Sequence, residues 1–188
     1  MSDPRVVSAP AGMSAEPAEH VLGDVDAPVT VLEYGDYECP YCAGAAPVLR
    51  KLVEQSDGQV RLIFRNFPLF EVHPHALTAA LAAESTVASG AFWPMHALLF
   101  QKQNRLGDPD LRLYAEHVGA DPVLATGDAA QQFAPKVQAD YVAGVAAGTR
   151  ATPTLFIDDN PYAGRIELPA LRRATGLSGT RGRRRRPG

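Results

Sequence analysis

The amino-acid sequence predicts a mixed α/β fold, in which a central sheet flanked by helices is interrupted by an α-helical insertion. Three observations predict it. A strand-helix-strand pattern occupies residues 29–64, helical periodicity then dominates residues 75–147, and strand character returns at residues 154–157. A chain of 188 residues is long enough for one such domain with its own hydrophobic core.

Composition and charge exclude several classes of protein. Hydrophobic residues make up 46% of the chain and charged residues 21%, as in ordinary globular proteins and unlike disordered or fibrous ones. The net charge is −3, but five of the 18 basic residues are arginines among residues 181–186, so residues 1–180 carry 13 basic against 21 acidic side chains. Because binding to a phosphate backbone needs clustered positive charge, we expect no nucleic-acid binding by the folded body.

The two ends of the chain differ in composition from its body. Residues 1–19 are rich in Pro, Ala, Ser and Gly, which predicts a flexible leader, and residues 178–188 predict a basic, disordered tail. The sequence has neither a secretory apolar run near its start nor an apolar stretch of membrane-spanning length. We therefore expect a cytoplasmic protein, or a periplasmic or otherwise extracytoplasmic one if translation starts elsewhere or export uses another route.

The first half of the sheet is predicted by two strands that flank a helix. Residues 29–34 (VTVLEY) are β-branched and apolar, with a single charge at Glu33. From Cys39 onward apolar residues recur every three or four positions, which predicts an amphipathic helix ending near Asp57 and Gly58. Residues 60–64 (VRLIF) predict a second strand, parallel to the first as in a βαβ unit.

Three or four helices are predicted in the insertion. An Ala-rich helix comes first, and a helix containing residues 95–99 follows a turn-like GAFWP segment. Asp108 and Pro109 are typical of an N-cap and a first helical turn. A stripe with a spacing of four residues predicts a further helix, which Pro135 starts or kinks, and its members are Phe133, Val137, Tyr141 and Val145.

The chain returns to sheet structure after the insertion. Residues 154–157 predict a strand, the segment DDNPYAG predicts a turn, and residues 162–166 predict a short further strand. A final helix is predicted at residues 169–175.

The two cysteines of the chain, Cys39 and Cys42, carry the strongest chemical signal. They form a C-P-Y-C motif that opens a helix directly after a strand, so both sulfurs lie on one side of the first turn. Unpaired N–H groups and the helix dipole favour a thiolate there, which predicts a lowered pKa and a nucleophilic Cys39. Pro40 suits the first turn because it lacks an N–H. Cys42 then acts as the resolving thiol that breaks the mixed disulfide.

Two alternatives compete with this redox interpretation. A structural zinc site would need two further ligands, and the nearby His73 and His75 are more closely spaced than zinc-binding histidines usually are. The cysteines would otherwise be an inert buried pair, which is less common at a strand-helix junction with this spacing. We therefore expect redox chemistry, with no metal and no cofactor.

The segments EYGDYECPYC and ATPTLFID, separated by a helical region, resemble the DsbA-like branch of the thioredoxin superfamily. The resemblance covers residues from about 20 to 177. It implies a thioredoxin-like domain formed by residues 20–72 and 148–177, and a helical insertion formed by residues 73–147. It also implies a protein-disulfide oxidoreductase that exchanges electrons with protein thiols and disulfides, and with a redox partner that the sequence does not identify.

The resemblance assigns roles around the two cysteines. It implies that Cys39 is an exposed attacking cysteine, that Cys42 is its buried partner, and that Glu33 is a buried proton acceptor for the resolving thiol. A lone carboxylate in a buried strand is costly unless its pKa rises, which is what a proton shuttle requires. The alternative for Glu33 is a solvated side chain at the edge of the sheet.

The resemblance also implies a substrate-binding surface. Thr152-Pro153 matches the cis-proline site of the superfamily, where the backbone of Thr152 would bind an extended substrate peptide as a short added strand. An ordinary trans turn proline is the alternative. Pro40 and Tyr41, between the cysteines, are expected to contact substrate, and Tyr41 would tune the redox potential without adding positive charge.

Other interpretations of the whole chain remain open. Four residues of the insertion, His73, His75, Trp93 and His96, are more typical of packing or satisfied polar groups than of catalysis. A thioredoxin-fold adaptor with a structural disulfide would bind peptides without turnover, and a cytoplasmic reductase or isomerase would use the same residues in another direction. A glutaredoxin shares the C-P-Y-C tetrapeptide but is far shorter.

Overall fold

The computed structural model describes residues 20–177 of the chain. The predicted leader at residues 1–19 and the predicted basic tail at residues 178–188 lie outside the described residues. Within residues 20–177, the predicted mixed sheet interrupted by a helical insertion is confirmed.

The sheet has five strands in the order β1-β3-β2-β4-β5. The central strands β2 (Val29–Gly35) and β3 (Val60–Asn66) are parallel, as the βαβ pattern predicts. Strand β3 is two residues longer than expected because Arg65 and Asn66 continue the ladder opposite Tyr34 and Gly35. The edge strand β1 (Val21–Leu22) pairs antiparallel with β3 and is too short for a periodic sequence signal.

Helix α1 (Pro40–Glu54) connects the two central strands and begins at the motif. Cys39 is its N-cap residue, with extended backbone angles and no side-chain capping bond. The helix ends three residues earlier than predicted, because Asp57 and Gly58 adopt positive φ values of 51° and 76° in the turn to β3.

The insertion contains five α-helices and not the predicted three or four, because the four-residue α5 is too short to give a periodic signal, and short 3₁₀ turns lie between some of them. Two local expectations were wrong. The GAFWP segment is not a turn, since the second helix of the insertion begins inside it, and Asp108 is the first helical residue after an N-cap at Gly107 rather than the cap itself. Pro135 lies in the first turn of the last helix, where a missing N–H is tolerated, so it starts the helix. The helices are α2 (Ala76–Ser85), α3 (Phe92–Gln101), α4 (Asp108–His117), α5 (Gly127–Ala130) and α6 (Ala134–Ala146).

The chain then returns to the sheet as a hairpin of β4 (Thr154–Ile157) and β5 (Asn160–Tyr162), followed by α7 (Leu168–Ala174). Strand β5 lies earlier than predicted. A two-residue loop joins the strands, and both of its residues, Asp158 and Asp159, have positive φ values of 47° and 66°, as the tight hairpin turn requires.

The hydrophobic core lies on both faces of the sheet. On one face, a first cluster packs α1 and α7 against Val31, Leu62 and Leu155, and a second joins Phe64 and both cysteines to the helices of the insertion. On the opposite face, an aromatic cluster contains Leu32, Tyr34, Phe67, Tyr141 and Phe156. The cysteines thus lie where the sheet, α1 and the insertion meet.

Candidate functional site: the C-P-Y-C turn

The Cys39–Cys42 pair lies at the amino end of α1, directly after the carboxyl end of β2. The backbone N–H of Cys39 donates to the carbonyl of Asp36 at 3.2 Å, which fixes the turn into the helix. Both cysteines are free thiols in this structure. One helical turn separates them, so the Cys42 thiol can donate a hydrogen bond to the Cys39 sulfur.

The environment of Cys39 favours its thiolate. The hydrogen bond from Cys42 is the main cause that lowers the pKa of Cys39 to about 5. Burial opposes this effect, while hydrogen bonds from the backbone N–H groups of Cys42 and Tyr41 support it. The lowered pKa agrees with what the position at a helix N-terminus predicts.

Cys42 has the opposite environment. Its side chain is fully buried, and its sulfur accepts a contact of 3.5 Å from the backbone N–H of Asp36. The hydrogen bond to the Cys39 thiolate raises the pKa of Cys42 above its usual range, and burial and the charge of Glu33 act in the same direction. Cys42 is therefore a thiol when Cys39 is a thiolate.

Cys39 is less exposed than the resemblance implies. Only 3% of its surface is accessible, because its Sγ packs 3.3 Å from the carbonyl oxygen of Thr152. The expectation of an exposed Cys39 is therefore wrong for this reduced structure. Its neighbours Pro40, Tyr41 and Ala151 are exposed, so the sulfur lies just beneath the surface.

Glu33 lies on β2 beneath the cysteines and is completely buried. Neither carboxyl oxygen has a hydrogen-bond partner within residues 20–177. Burial raises the pKa of Glu33 to about 8, and the nearby charge of Cys39 adds to the shift. The predicted burial and raised pKa are present, and the alternative of a solvated Glu33 at the sheet edge is not what the structure has.

The peptide bond between Thr152 and Pro153 is cis, so the alternative of a trans turn proline is not what the structure has. The segment directly precedes β4, whose Thr154 pairs with Tyr34 of β2. This pairing places Thr152 opposite the amino end of α1, where its carbonyl meets the Cys39 sulfur. The Thr152 hydroxyl is buried and has no hydrogen-bond partner in the described part of the chain.

The two residues between the cysteines face outward. Pro40 occupies the first turn of α1, and Tyr41 is 77% exposed. Both are accessible at the surface beside the two sulfurs.

Two neighbouring residues escaped the sequence analysis. Asp36 accepts a hydrogen bond from the N–H of Glu38 at 2.7 Å, a local turn that its position before the helix could have indicated. Gln103, which follows α3, donates from Nε2 to the carbonyls of Tyr37 and Cys39, both at 2.8 Å. No sequence pattern indicates Gln103, because it lies 64 residues from Cys39.

In residues 20–177, His, Cys, Asp and Glu side chains form no group of three or more suited to a metal ion. No helix in that same stretch combines the length and apolar character needed to cross a bilayer.

Comparison with solved structures identifies similar folds. A family model described as thioredoxin matches residues 15–175. Oxidised BdbD from Bacillus subtilis is 26% identical with a TM-score of 0.73, covering 84% of this chain and 90% of that chain. A thioredoxin-like oxidoreductase from Silicibacter pomeroyi is 27% identical with a TM-score of 0.71, covering 87% and 97%. The predicted thioredoxin-like fold with a helical insertion is confirmed.

Curated relatives with higher identity are much longer proteins. The Na(+)/H(+) antiporter NhaA 3 of Salinispora tropica is 40% identical over 158 residues, which cover 81% of this chain and 24% of the relative. The Na(+)/H(+) antiporter NhaA 1 of Salinispora arenicola is 39% identical over 170 residues, which cover 87% and 25%. The chain thus spans about a quarter of the length of these relatives.

Proposed function

Because this chain belongs to the thioredoxin family, and within it to the proteins of DsbA-like architecture, we propose that it is a protein thiol-disulfide oxidoreductase working through Cys39 and Cys42. The single observation that carries the proposal is the opposite environment of the two sulfurs. One favours the thiolate and lies just beneath the surface, and the other is a buried thiol poised behind it.

The first step forms a mixed disulfide. The Cys39 thiolate attacks one sulfur of a substrate disulfide, the bond between the two substrate sulfurs breaks, and the leaving sulfur departs as a thiolate that takes a proton from water. Access requires the substrate to displace the contact between Cys39 Sγ and the Thr152 carbonyl. An extended peptide pairing with the Thr152 backbone does this directly, since it occupies the same groups. In this role Pro153 holds that backbone, while Pro40 and Tyr41 contact the bound protein.

The second step resolves the mixed disulfide. Cys42 gives its proton to the Glu33 carboxylate and attacks Cys39 Sγ, and the remaining substrate sulfur leaves as a thiolate that is protonated by solvent. Formation of the mixed disulfide removes the charge of Cys39, which is one of the causes of the raised pKa of Glu33. Loss of that charge lowers the pKa of Glu33, so a larger fraction of Glu33 is the carboxylate that can take the proton when Cys42 must ionise. Two electrons and two protons have then moved to the substrate, and the protein holds a Cys39–Cys42 disulfide.

The direction that the site favours is the reverse sequence, in which the protein disulfide oxidises a substrate dithiol. A pKa of about 5 stabilises the reduced form of Cys39, and a couple whose reduced form is stabilised is the more oxidising one. Repeated turnover then needs a partner disulfide that reoxidises the pair. Such a cycle fits the extracytoplasmic alternative for location better than a cytoplasm that keeps thiols reduced.

Insulin reduction by dithiothreitol tests the proposal against a peptide-binding adaptor. We expect the wild-type protein to accelerate precipitation of the insulin B chain, and Cys39→Ser to abolish the acceleration, because no thiolate remains to attack. Glu54→Gln is the control, since it changes an exposed residue at the far end of the same helix and leaves both sulfurs in place, and it should retain most of the activity. Equal, negligible turnover by the wild type and by Cys39→Ser would contradict an oxidoreductase and favour the adaptor.

A further inference from the structure

A buried carboxylate, that of Asp36, lies beside the thiol centre. Its side chain is fully inaccessible, and its Oδ2 accepts hydrogen bonds from the Leu69 N–H and from His73 Nδ1, both at 2.8 Å. The backbone of the same residue contacts both cysteines, since its carbonyl accepts from the Cys39 N–H and its N–H points at the Cys42 sulfur. Asp36 therefore connects the segment after β3 to the C-P-Y-C turn.

The His73 ring completes this arrangement. It lies in the segment between β3 and α2 and is 21% exposed. Burial lowers the pKa of His73, but its hydrogen bond and charge pairing with Asp36, together with the charges of Cys39 and Glu38, outweigh burial and raise that pKa. The groups that face His73 from the turn at the start of α1 are thus all negatively charged when ionised, namely the carboxylates of Asp36 and Glu38 and the Cys39 thiolate. On its own segment the nearby Glu71 and His75 are exposed.

The charges of the pair have opposite effects on a thiolate. The Asp36 carboxylate alone would disfavour a negative charge on Cys39, while a protonated His73 would favour it. The charge of Cys39 is among the causes that raise the pKa of His73, so the ring and the sulfur interact electrostatically. The motif itself supplies no compensating cation, because Pro40 and Tyr41 are neutral.

We propose that His73 is a positioning residue of the thiol centre, whose protonated ring offsets the buried Asp36 carboxylate and so lets Asp36 hold the C-P-Y-C turn without disfavouring the Cys39 thiolate. The inference rests on the proposed function, because a thiolate at Cys39 matters only if that sulfur is the nucleophile. It assigns a role to a pair of residues, 37 positions apart, that lies outside the C-x-x-C motif.

The test removes the charge of His73 while keeping a hydrogen bond to Asp36. His73→Asn retains an N–H that can donate to Asp36 but is neutral, so Cys39 faces an uncompensated carboxylate. We expect the apparent pKa of Cys39 to rise and its alkylation by iodoacetamide at pH 4.5, just below the wild-type pKa of about 5, to slow roughly two- to fourfold, the effect of one partly exposed charge. The equilibrium constant for oxidising glutathione should fall by the same factor. Mass mapping of the Cys39 peptide separates its alkylation from that of Cys42.

A double variant distinguishes charge compensation from a merely structural contact. Asp36→Asn combined with His73→Asn removes both charges, so the Cys39 pKa should return toward the wild-type value, although the turn has lost its ionic contact. A structural role predicts instead that the double variant is at least as impaired as His73→Asn. His73→Gln, with a longer neutral donor, gives a second single variant if His73→Asn is unfolded.

The control is His75→Asn, which makes the same substitution at an exposed ring two residues away and should leave the Cys39 pKa unchanged. A Cys39 pKa that is the same in wild type, His73→Asn and His75→Asn would overturn the inference, and so would a double variant without recovery. These readouts use the free thiol and need no substrate. Loss of insulin turnover in the wild type would therefore contradict the proposed function separately.

Discussion

Burial of Glu33 in the sheet carries a desolvation penalty for its charged form. The Glu33 carboxyl group has no exposed surface, and neither oxygen has a hydrogen-bond partner among the residues that the structure describes. An ionised carboxylate in such a place loses its hydration without compensation, so the group binds a proton instead. A pKa of about 8 keeps Glu33 mostly neutral at pH 7 while leaving it able to exchange protons.

This environment predicts how stability depends on pH. The carboxyl binds a proton more tightly in the folded chain, where its pKa is about 8, than in the unfolded chain, where its pKa is the ordinary 4.5. Its contribution to stability is therefore fully present below pH 4.5 and is lost as the pH rises through 8. Glu33→Gln cannot titrate, so the wild type should lose more unfolding free energy than Glu33→Gln between pH 5 and pH 8, by on the order of a few kcal/mol.

Urea denaturation of the reduced proteins at both pH values measures the difference. Glu116→Gln, on the exposed face of α4, is the matched control and should follow the wild-type pH dependence. Parallel pH profiles for the wild type and Glu33→Gln would show that Glu33 has an ordinary pKa, and the proton-transfer role in the proposed mechanism would lose its physical basis.

At the scale of elements, α6 approaches the sheet closely enough to exclude a side chain. A Cβ added at Gly144 would lie 2.6 Å from Cδ2 of Phe67 and 3.0 Å from Cδ1 of Tyr34. At Gly44, inside α1, an added Cβ would meet no described atom within 4 Å apart from its own chain neighbours and helix backbone. The two helical glycines therefore differ in packing while sharing the same unfavourable helix propensity.

Alanine at these positions should have opposite effects on stability. Gly144→Ala forces α6 away from the aromatic rings and should destabilise the protein by about 1–3 kcal/mol, whereas Gly44→Ala adds helix propensity without a clash and should stabilise it by about 0.5–1 kcal/mol. Thermal or urea unfolding of the two variants checks this. Destabilisation by Gly44→Ala, or none by Gly144→Ala, would contradict the packing of these helices.

The elements themselves show what sequence patterns can and cannot predict. Strand β2 and helix α1 were predicted within one residue of their starts, because a β-branched run and a three-to-four periodicity are local signals. Strand β1 has only two residues and is defined by its pairing with β3, so no local pattern predicts it. Helix α3 begins inside a segment whose composition predicts a turn, because tertiary packing overrides that local preference.

The candidate site divides in the same way. The C-P-Y-C motif and Glu33 lie within ten consecutive residues, where the burial of Glu33 follows from its strand and its place beneath the cysteines is implied by the resemblance. The contacts of Asp36 with His73 and of Gln103 with Cys39 join residues 37 and 64 positions apart. The packing of the insertion decides which distant polar residues are in contact, and no local sequence pattern predicts it.

At the scale of the whole molecule, a polar network joins the insertion to the sheet. Glu84 of α2 accepts hydrogen bonds from His20 Nε2 at 2.8 Å and from Asn66 Nδ2 at 2.6 Å, and the Asn66 N–H donates to Asp140 of α6. These groups are buried, so separating the insertion from the sheet would leave them unpaired. The hydrophobic cluster that contains both cysteines also extends into the insertion. The two parts therefore share one core.

A shared core predicts that the insertion and the thiol centre unfold together. Trp93 on α3, the single tryptophan of the chain, donates from Nε1 to the Val21 carbonyl at 2.8 Å, so its fluorescence reports the contact between insertion and sheet. Alkylation of the fully buried Cys42 reports opening of the site. In urea both signals should change with the same midpoint and slope as the far-ultraviolet circular dichroism. The reason is that the insertion and the sheet share one hydrophobic core and so unfold together. A Trp93 transition at clearly lower urea than Cys42 alkylation would mean that the insertion detaches from an intact thiol centre, and that its packing against the sheet does not hold the cysteines in place.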